Sequence, residues 1–108
     1  YDDNLSDINW LKIPQKQFTS DHIYHQYSIL LSPSIERNKF QKHLLNNGIP
    51  SMIYYPIPLH KQKAYNCYVN ESLPVAERLS KQIISLPMHS ELESKEVDFI
   101  CKIIQNFN

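Results

Sequence analysis

The chain has 108 residues and a mass of 12.8 kDa, which suits one domain with a radius of gyration near ~13 Å and excludes two separate cores. Eleven Lys+Arg balance eleven Asp+Glu, so there is no basic excess of the kind that marks a nucleic-acid binder or a polybasic membrane patch. The sequence holds a single glycine, Gly48, which excludes a Gly-rich phosphate loop or a nicotinamide fingerprint, since each needs several glycines within a few residues.

Apolar residues make up 42% and aromatics 11%, a globular rather than a disordered composition. No apolar run approaches the ~20 residues of a membrane span. Two cysteines, Cys67 and Cys101, make neither a disulfide framework nor a four-thiolate zinc site, and a reducing cytoplasm is the expected compartment. The first residue is Tyr1 and no signal-peptide pattern follows. The expectation is a piece of a longer protein.

Residues 1–20 are polar and irregular, with Trp10, Leu11 and Ile13 as their main apolar cluster; they read as a tail or linker anchored by Trp10. From His22 to Leu31 the chain is β-branched and aromatic with no breaker before Pro33, which predicts a strand. Ile23, His25, Tyr27, Ile29 and Leu31 would share one face. Ser34 to Asn47 reads as a helix capped by Ser34, with Phe40, Leu44 and Leu45 on one face and Ile35 at its edge. Gly48 stands where a left-handed residue would close that helix.

Ser51 to Tyr55 lies between Pro50 and Pro56 and predicts a brief strand, followed by a loop over Ile57 to Glu71. Ser72 and Pro74 open a further helix, with Ser72 as cap and Leu73, Ala76, Leu79, Ser80 and Ile83 as its apolar or small face. Ser85 to Met88 predicts a short strand or an extended connector, because Pro87 ends the helical option. Val97, Ile100, Cys101, Ile104 and Phe107 recur at three- and four-residue steps and predict an amphipathic helix. The mixture implies an α+β fold, with helices packed on a small, mostly antiparallel sheet.

Candidate chemistry is sparse. His22 and His25 are three residues apart and would face opposite sides of a strand, so no metal site is expected. Cys101 lies on an apolar helical stripe and reads as core, while Cys67 has no neighbouring His or Lys to activate it. Tyr54-Tyr55-Pro56-Ile57-Pro58-Leu59-His60 differs from the rest. Two prolines lower the entropy cost of holding it, and tyrosine hydroxyls and imidazole can address hydroxyls or phosphate. From the residues alone, a binding loop and a core-edge turn with half-buried tyrosines are both open.

The strings GIPSMIYYPIPLHKQKAY and SLPVAERLSKQIISLPMHSEL, together with HIYHQYSI and the closing VDFICKIIQNF, resemble the C-terminal part of the DegT/DnrJ/EryC1/StrS family. These are pyridoxal-phosphate-dependent sugar aminotransferases of the aspartate-aminotransferase fold. The resemblance runs from about residue 22 to residue 107. It implies that residues 1–20 lead in from a large N-terminal domain and that 21–108 form the small C-terminal domain of a fold-type I enzyme. The Schiff-base lysine, the acid facing the pyridine nitrogen and most of the phosphate cup belong to that large domain. This fragment is therefore expected to contain no catalytic or cofactor-binding residue, to bind no pyridoxal phosphate (PLP) and to be inactive alone.

The parent would move an amino group from a donor such as glutamate to a keto-sugar nucleotide, as a cytoplasmic homodimer, in amino-sugar synthesis for polysaccharide, glycan or antibiotic. By the resemblance, Tyr55 and His60 are the leading substrate-side residues, followed by Tyr54, His25 and Tyr27. Where the family often has a threonine capping the last helix, Glu93 stands here, so that helix is expected to start at Ser94. A same-family sugar dehydratase and a free-standing, non-catalytic α+β binding module are the alternative readings.

Overall fold

Tyr27, Ile29 and Leu31 alternate with the less buried Ser28 and Leu30, and this period of two makes the central strand. The computed structural model describes residues 1–19, 21–65 and 71–107; the expectations for Cys67 and Tyr68 lie outside them. Among the described residues, three antiparallel strands, β1 (Leu11–Lys12), β2 (Tyr27–Leu31) and β3 (Ile83–Leu86), are ordered β1-β2-β3. The α-helices there are α1 (Asp2–Leu5), α2 (Arg37–Asn46), α3 (Pro74–Gln82) and α4 (Ser94–Gln105), and a 3-10 turn covers Leu59–Lys61. This is the expected α+β class.

One sheet face makes the core. In β2 and β3, Tyr27 pairs with Leu86 and Ile29 with Ile84, while Leu31 faces Leu11 of β1. Against them lie Leu5 of α1, Phe40 and Leu44 of α2, and Ile100, Cys101 and Ile104 of α4, all of them buried. Val97 and Phe107, expected on the same stripe, are only half-buried. Trp10, Phe40 and Phe107 meet edge-on or tilted, with ring centroids 5.1 to 5.8 Å apart, an arrangement favoured by the ring quadrupoles. The other sheet face carries Ser28, Leu30, Ile83 and Ser85, and the two serine hydroxyls lie 2.8 Å apart across it.

Helix ends follow local chemistry. Gly48 has φ +75°, the Ile49 N–H reaches the Leu44 carbonyl and the Gly48 N–H reaches that of Leu45, both at 2.9 Å. This pair of bonds closes α2 as the sequence predicts. At the other end α2 begins at Arg37, not at Ser34, because Ser34 lies inside a turn that the Ile35 N–H closes onto the Ser32 carbonyl at 2.9 Å, and its hydroxyl lies 3.0 Å from that of Ser32. Helix α4 starts at Ser94, and the Glu96 carboxylate accepts the Glu93 N–H at 2.8 Å. Glu93 therefore works as part of a capping box.

Three sequence expectations are corrected. The strand predicted from His22 begins only at Tyr27, whose partner Leu86 is the last residue of β3. Upstream, Tyr24 has φ +44°, its N–H donates to the His22 ring at 3.0 Å, and Ile23 is 90% exposed. The stretch Ser51 to Tyr55 makes a single bridge, Met52 to Ser85, rather than a strand. Ile83, assigned to a helix face, is already the first residue of β3, since pairing with Leu30 of β2 outweighs continuation of α3.

The lead-in also differs from a bare tail. β1 joins the sheet, Leu5 is fully buried, and the Tyr1 hydroxyl donates to the Pro87 carbonyl at 2.8 Å. Asn4 donates to Asp98 at 2.9 Å and Gln105 to the Asn4 carbonyl at 2.8 Å, which ties α1 to α4. Residues 15–19 and 21–23 are exposed, and the radius of gyration, 15.4 Å, exceeds the compact value accordingly.

Candidate functional site

After α2 the chain turns at Gly48, buries Ile49 and is then pinned to β3. Met52 and Ser85 exchange both backbone hydrogen bonds, at 3.1 and 2.7 Å, and Gln41 Nε2 donates to the Ser51 carbonyl at 3.2 Å. Beyond this pin, Pro56 and Pro58 offer no N–H, so the backbone cannot extend the sheet. The Tyr54–Tyr55 peptide bond is cis. The segment ends in the 3-10 turn, where the Lys61 N–H donates to the Pro58 carbonyl at 2.9 Å.

Between this segment and α3 lies an apolar groove of ≈ 560 Å3, with Tyr54, Tyr55, Ile57 and Leu59 on one wall and Ala76 and Leu79 on the other. Tyr55 is 72% exposed and Tyr54 36%. A second depression, ≈ 390 Å3, holds His25, Met52, Tyr54, Ser85, Met88 and His89. Tyr54 borders both, so the structure brings Tyr54, Tyr55 and His25 to one side of the molecule. No lysine lines either depression among the described residues. They therefore do not fit a cofactor that is held through a lysine.

His60 is placed differently from the sequence expectation. It is buried, and its Nε2 lies 3.3 Å from Glu77 Oε1. The same Glu77 carboxylate accepts from Lys61 Nζ at 2.6 Å, Ser72 Oγ at 3.1 Å and the Leu73 N–H at 3.2 Å. Lys61 first, then His60, lower the Glu77 pKa to about 2, so the group is an ionised, acceptor-only carboxylate at neutral pH. The proton between it and the imidazole therefore sits on Nε2 of His60. Ser72, expected as the helix cap, donates to Glu77 instead, and Leu73 holds the cap position.

Tyr27 is a core residue whose hydroxyl donates to Asp2 Oδ1 at 2.6 Å. Burial, and then that bond, raise its pKa. It borders a third depression with Tyr1, Lys16, Met88 and His89, apart from the groove walls. Cys101 is buried and its thiol pKa is raised by desolvation, as befits a packing residue. Among the described residues no cluster of three or more His, Cys, Asp or Glu could hold a metal, and no helix is long and apolar enough to cross a membrane.

Glu77 and His89 were missed by the sequence reading. Glu77 carried one usable signal, an acid in the first turn after Pro74; its partners His60 and Lys61 lie 17 and 16 residues away. His89 had no local signal.

The model of the DegT/DnrJ/EryC1/StrS aminotransferase family matches residues 1–105. The chain belongs to that family. It is 36% identical over 95 residues to the UDP-N-acetyl-3-dehydro-alpha-D-glucosamine 3-aminotransferase of Acidithiobacillus ferrooxidans, covering 88% of this chain and 25% of that one. It is 30% identical over 98 residues to the dTDP-3-amino-3,6-dideoxy-alpha-D-galactopyranose transaminase of Aneurinibacillus thermoaerophilus, covering 91% of this chain and 26% of the relative. A solved family aminotransferase from Brucella abortus superposes with a TM-score of 0.84 at 37% identity, over 96% of this chain and 27% of that chain. The chain thus spans about a quarter of the length of the relatives it matches.

Proposed function

We propose that this chain is the small C-terminal domain of a PLP-dependent aminotransferase that acts on a nucleotide-linked keto-sugar, and that its Tyr54–His60 segment forms part of the substrate side. The observation that carries this is the groove itself, with two tyrosines on a pinned, proline-stiffened segment facing α3. Tyrosine rings cover the apolar face of a sugar or base while their hydroxyls bond its polar groups. Tyr55, the more exposed ring, is the leading ligand contact, with Tyr54 and His25 flanking it. His60 supports the segment from behind. Tyr27 is retained only as a wall residue of the neighbouring depression.

The cofactor would supply the carbanion-stabilising chemistry from the portion of the parent outside this chain. The residues described here would bind, orient and exclude water. The isolated chain should accordingly keep no stoichiometric chromophore after incubation with excess PLP and dialysis. Amino-sugar synthesis in a cytoplasmic homodimer is the setting this reading implies.

The test is an assay of the full-length protein with a nucleotide keto-sugar and glutamate. Sugar-dependent release of 2-oxoglutarate with formation of an amino-sugar is expected. A product that has lost a hydroxyl and gained no nitrogen would assign dehydration instead, and no turnover of any nucleotide sugar would refute both.

A further inference from the structure

We propose that Glu77 is the positioning residue of the substrate-side segment, setting the width of the groove by holding His60 and Lys61 against α3. The inference rests on the reading that Tyr54 to His60 faces the nucleotide sugar. The segment is fixed at its first end by the Met52–Ser85 bridge and the Gln41 bond to Ser51. At its far end, the side-chain hydrogen bonds that tie the 3-10 turn to α3 among the described residues are those of His60 and Lys61 with Glu77. Between the two pins run Tyr54, Tyr55, Ile57 and Leu59, which make one wall of the groove, and the other wall belongs to α3, the helix that carries Glu77.

The geometry around Glu77 suits such a fastening. Ser72 and the Leu73 N–H both donate to Oε1, the oxygen that His60 meets, so that oxygen is already oriented when the turn docks. An ionised carboxylate accepting several hydrogen bonds is stronger and more directional than a neutral acceptor. Without it, the imidazole would be left buried and short of its acceptor, which favours the turn swinging outward. Two prolines would transmit that movement along the segment to Tyr55 rather than absorb it locally.

The test compares Glu77→Ala, Glu77→Gln, His60→Ala and the Glu77→Ala/His60→Ala pair in the full-length protein. Glu77→Ala should raise the KM for the keto-sugar about two- to twelvefold, the scale of one lost hydrogen bond, and leave kcat and the amino-donor half-reaction within about twofold. The pair should be no worse than its more damaging single change, since both cut one connection. Glu77→Gln, which keeps an acceptor oxygen for Nε2, should show a smaller rise. In the unmodified protein, the Nε2-bound proton of His60 should exchange slowly with water in the nitrogen-15 histidine spectrum, a readout that stands even where Glu77→Ala does not fold.

A fast-exchanging Nε2 proton, or multiplicative effects in the pair, would overturn the proposal. So would an unchanged KM in Glu77→Ala, and if Tyr55→Phe still raised that KM, the substrate reading would survive without it. Equal damage to the donor half-reaction by both Tyr55→Phe and Glu77→Ala would instead remove the reading on which the proposal rests.

Discussion

Helices α3 and α4 carry similar amphipathic patterns and meet opposite fates. On α4, Ile100, Cys101 and Ile104 are at most 5% exposed and close the core. On and beside α3, Leu73 and Val75 remain 43% and 61% exposed, and Ala76 and Leu79 line an open groove facing Tyr54 and Tyr55. Periodicity therefore reports that a helix has an apolar face, not what covers it. One face is covered within this chain; the other borders the surface where the proposed function lies.

The largest expected effect comes from the covered face. Ile100→Ala or Ile104→Ala should destabilise the fold by about 2–5 kcal/mol, read from denaturant midpoints at constant slope. A cost within ~0.5 kcal/mol would mean that α4 does not close the core. Arg37→Met comes next. The Arg37 guanidinium donates to the carbonyls of Ser80 and Ile83 where α3 passes into β3, and burial lowers its pKa. Losing hydrogen bonds to a charged group should cost roughly 1–3 kcal/mol, visible in the same melts. An unchanged melt would show that the helix-to-strand junction holds itself.

The third expectation is an acid dependence. Because the folded-state pKa of Glu77 is depressed from 4.5 to about 2, the stability it contributes is present above pH 4.5 and is lost as pH falls through 2. Asp2, whose pKa is also lowered, first by Tyr27 and then by Lys16, titrates nearby, so the difference between wild type and Glu77→Gln is the readout. That difference should shrink between pH 4.5 and 2; a difference constant across this range would mean that Glu77 is not held by Lys61 and His60. The smallest effect belongs to the open face, where Val75→Ala should shift stability by no more than ~0.5 kcal/mol. A cost comparable to that of Ile100→Ala would erase the contrast between the helices.

Much of the covered region was legible because its signals are local. Gly48 sits where α2 needs a left-handed residue, and the α4 stripe and the alternation Tyr27, Ile29, Leu31 each declare their own face. What was not legible depends on distant partners. The end of β3 at Leu86 limits β2 from across the sheet, β3 claims Ile83 from the end of α3, and residues 1–13 pack into the core through Leu5, Trp10 and Leu11. The tyrosine segment was legible as a stiff aromatic stretch through its prolines and aromatics. The inward turn of His60 was not, because Glu77 is 17 residues away and no local pattern links them.

The most direct test of the central claim is the pair of half-reactions of Tyr55→Phe in the full-length protein, followed by stopped flow. The change keeps the ring in the groove and removes one hydroxyl. The account predicts a keto-sugar KM raised about two- to twelvefold, with turnover and the amino-donor half-reaction nearly unchanged. Equal slowing of both half-reactions would contradict it, since the segment would then serve cofactor geometry or a subunit contact rather than the sugar.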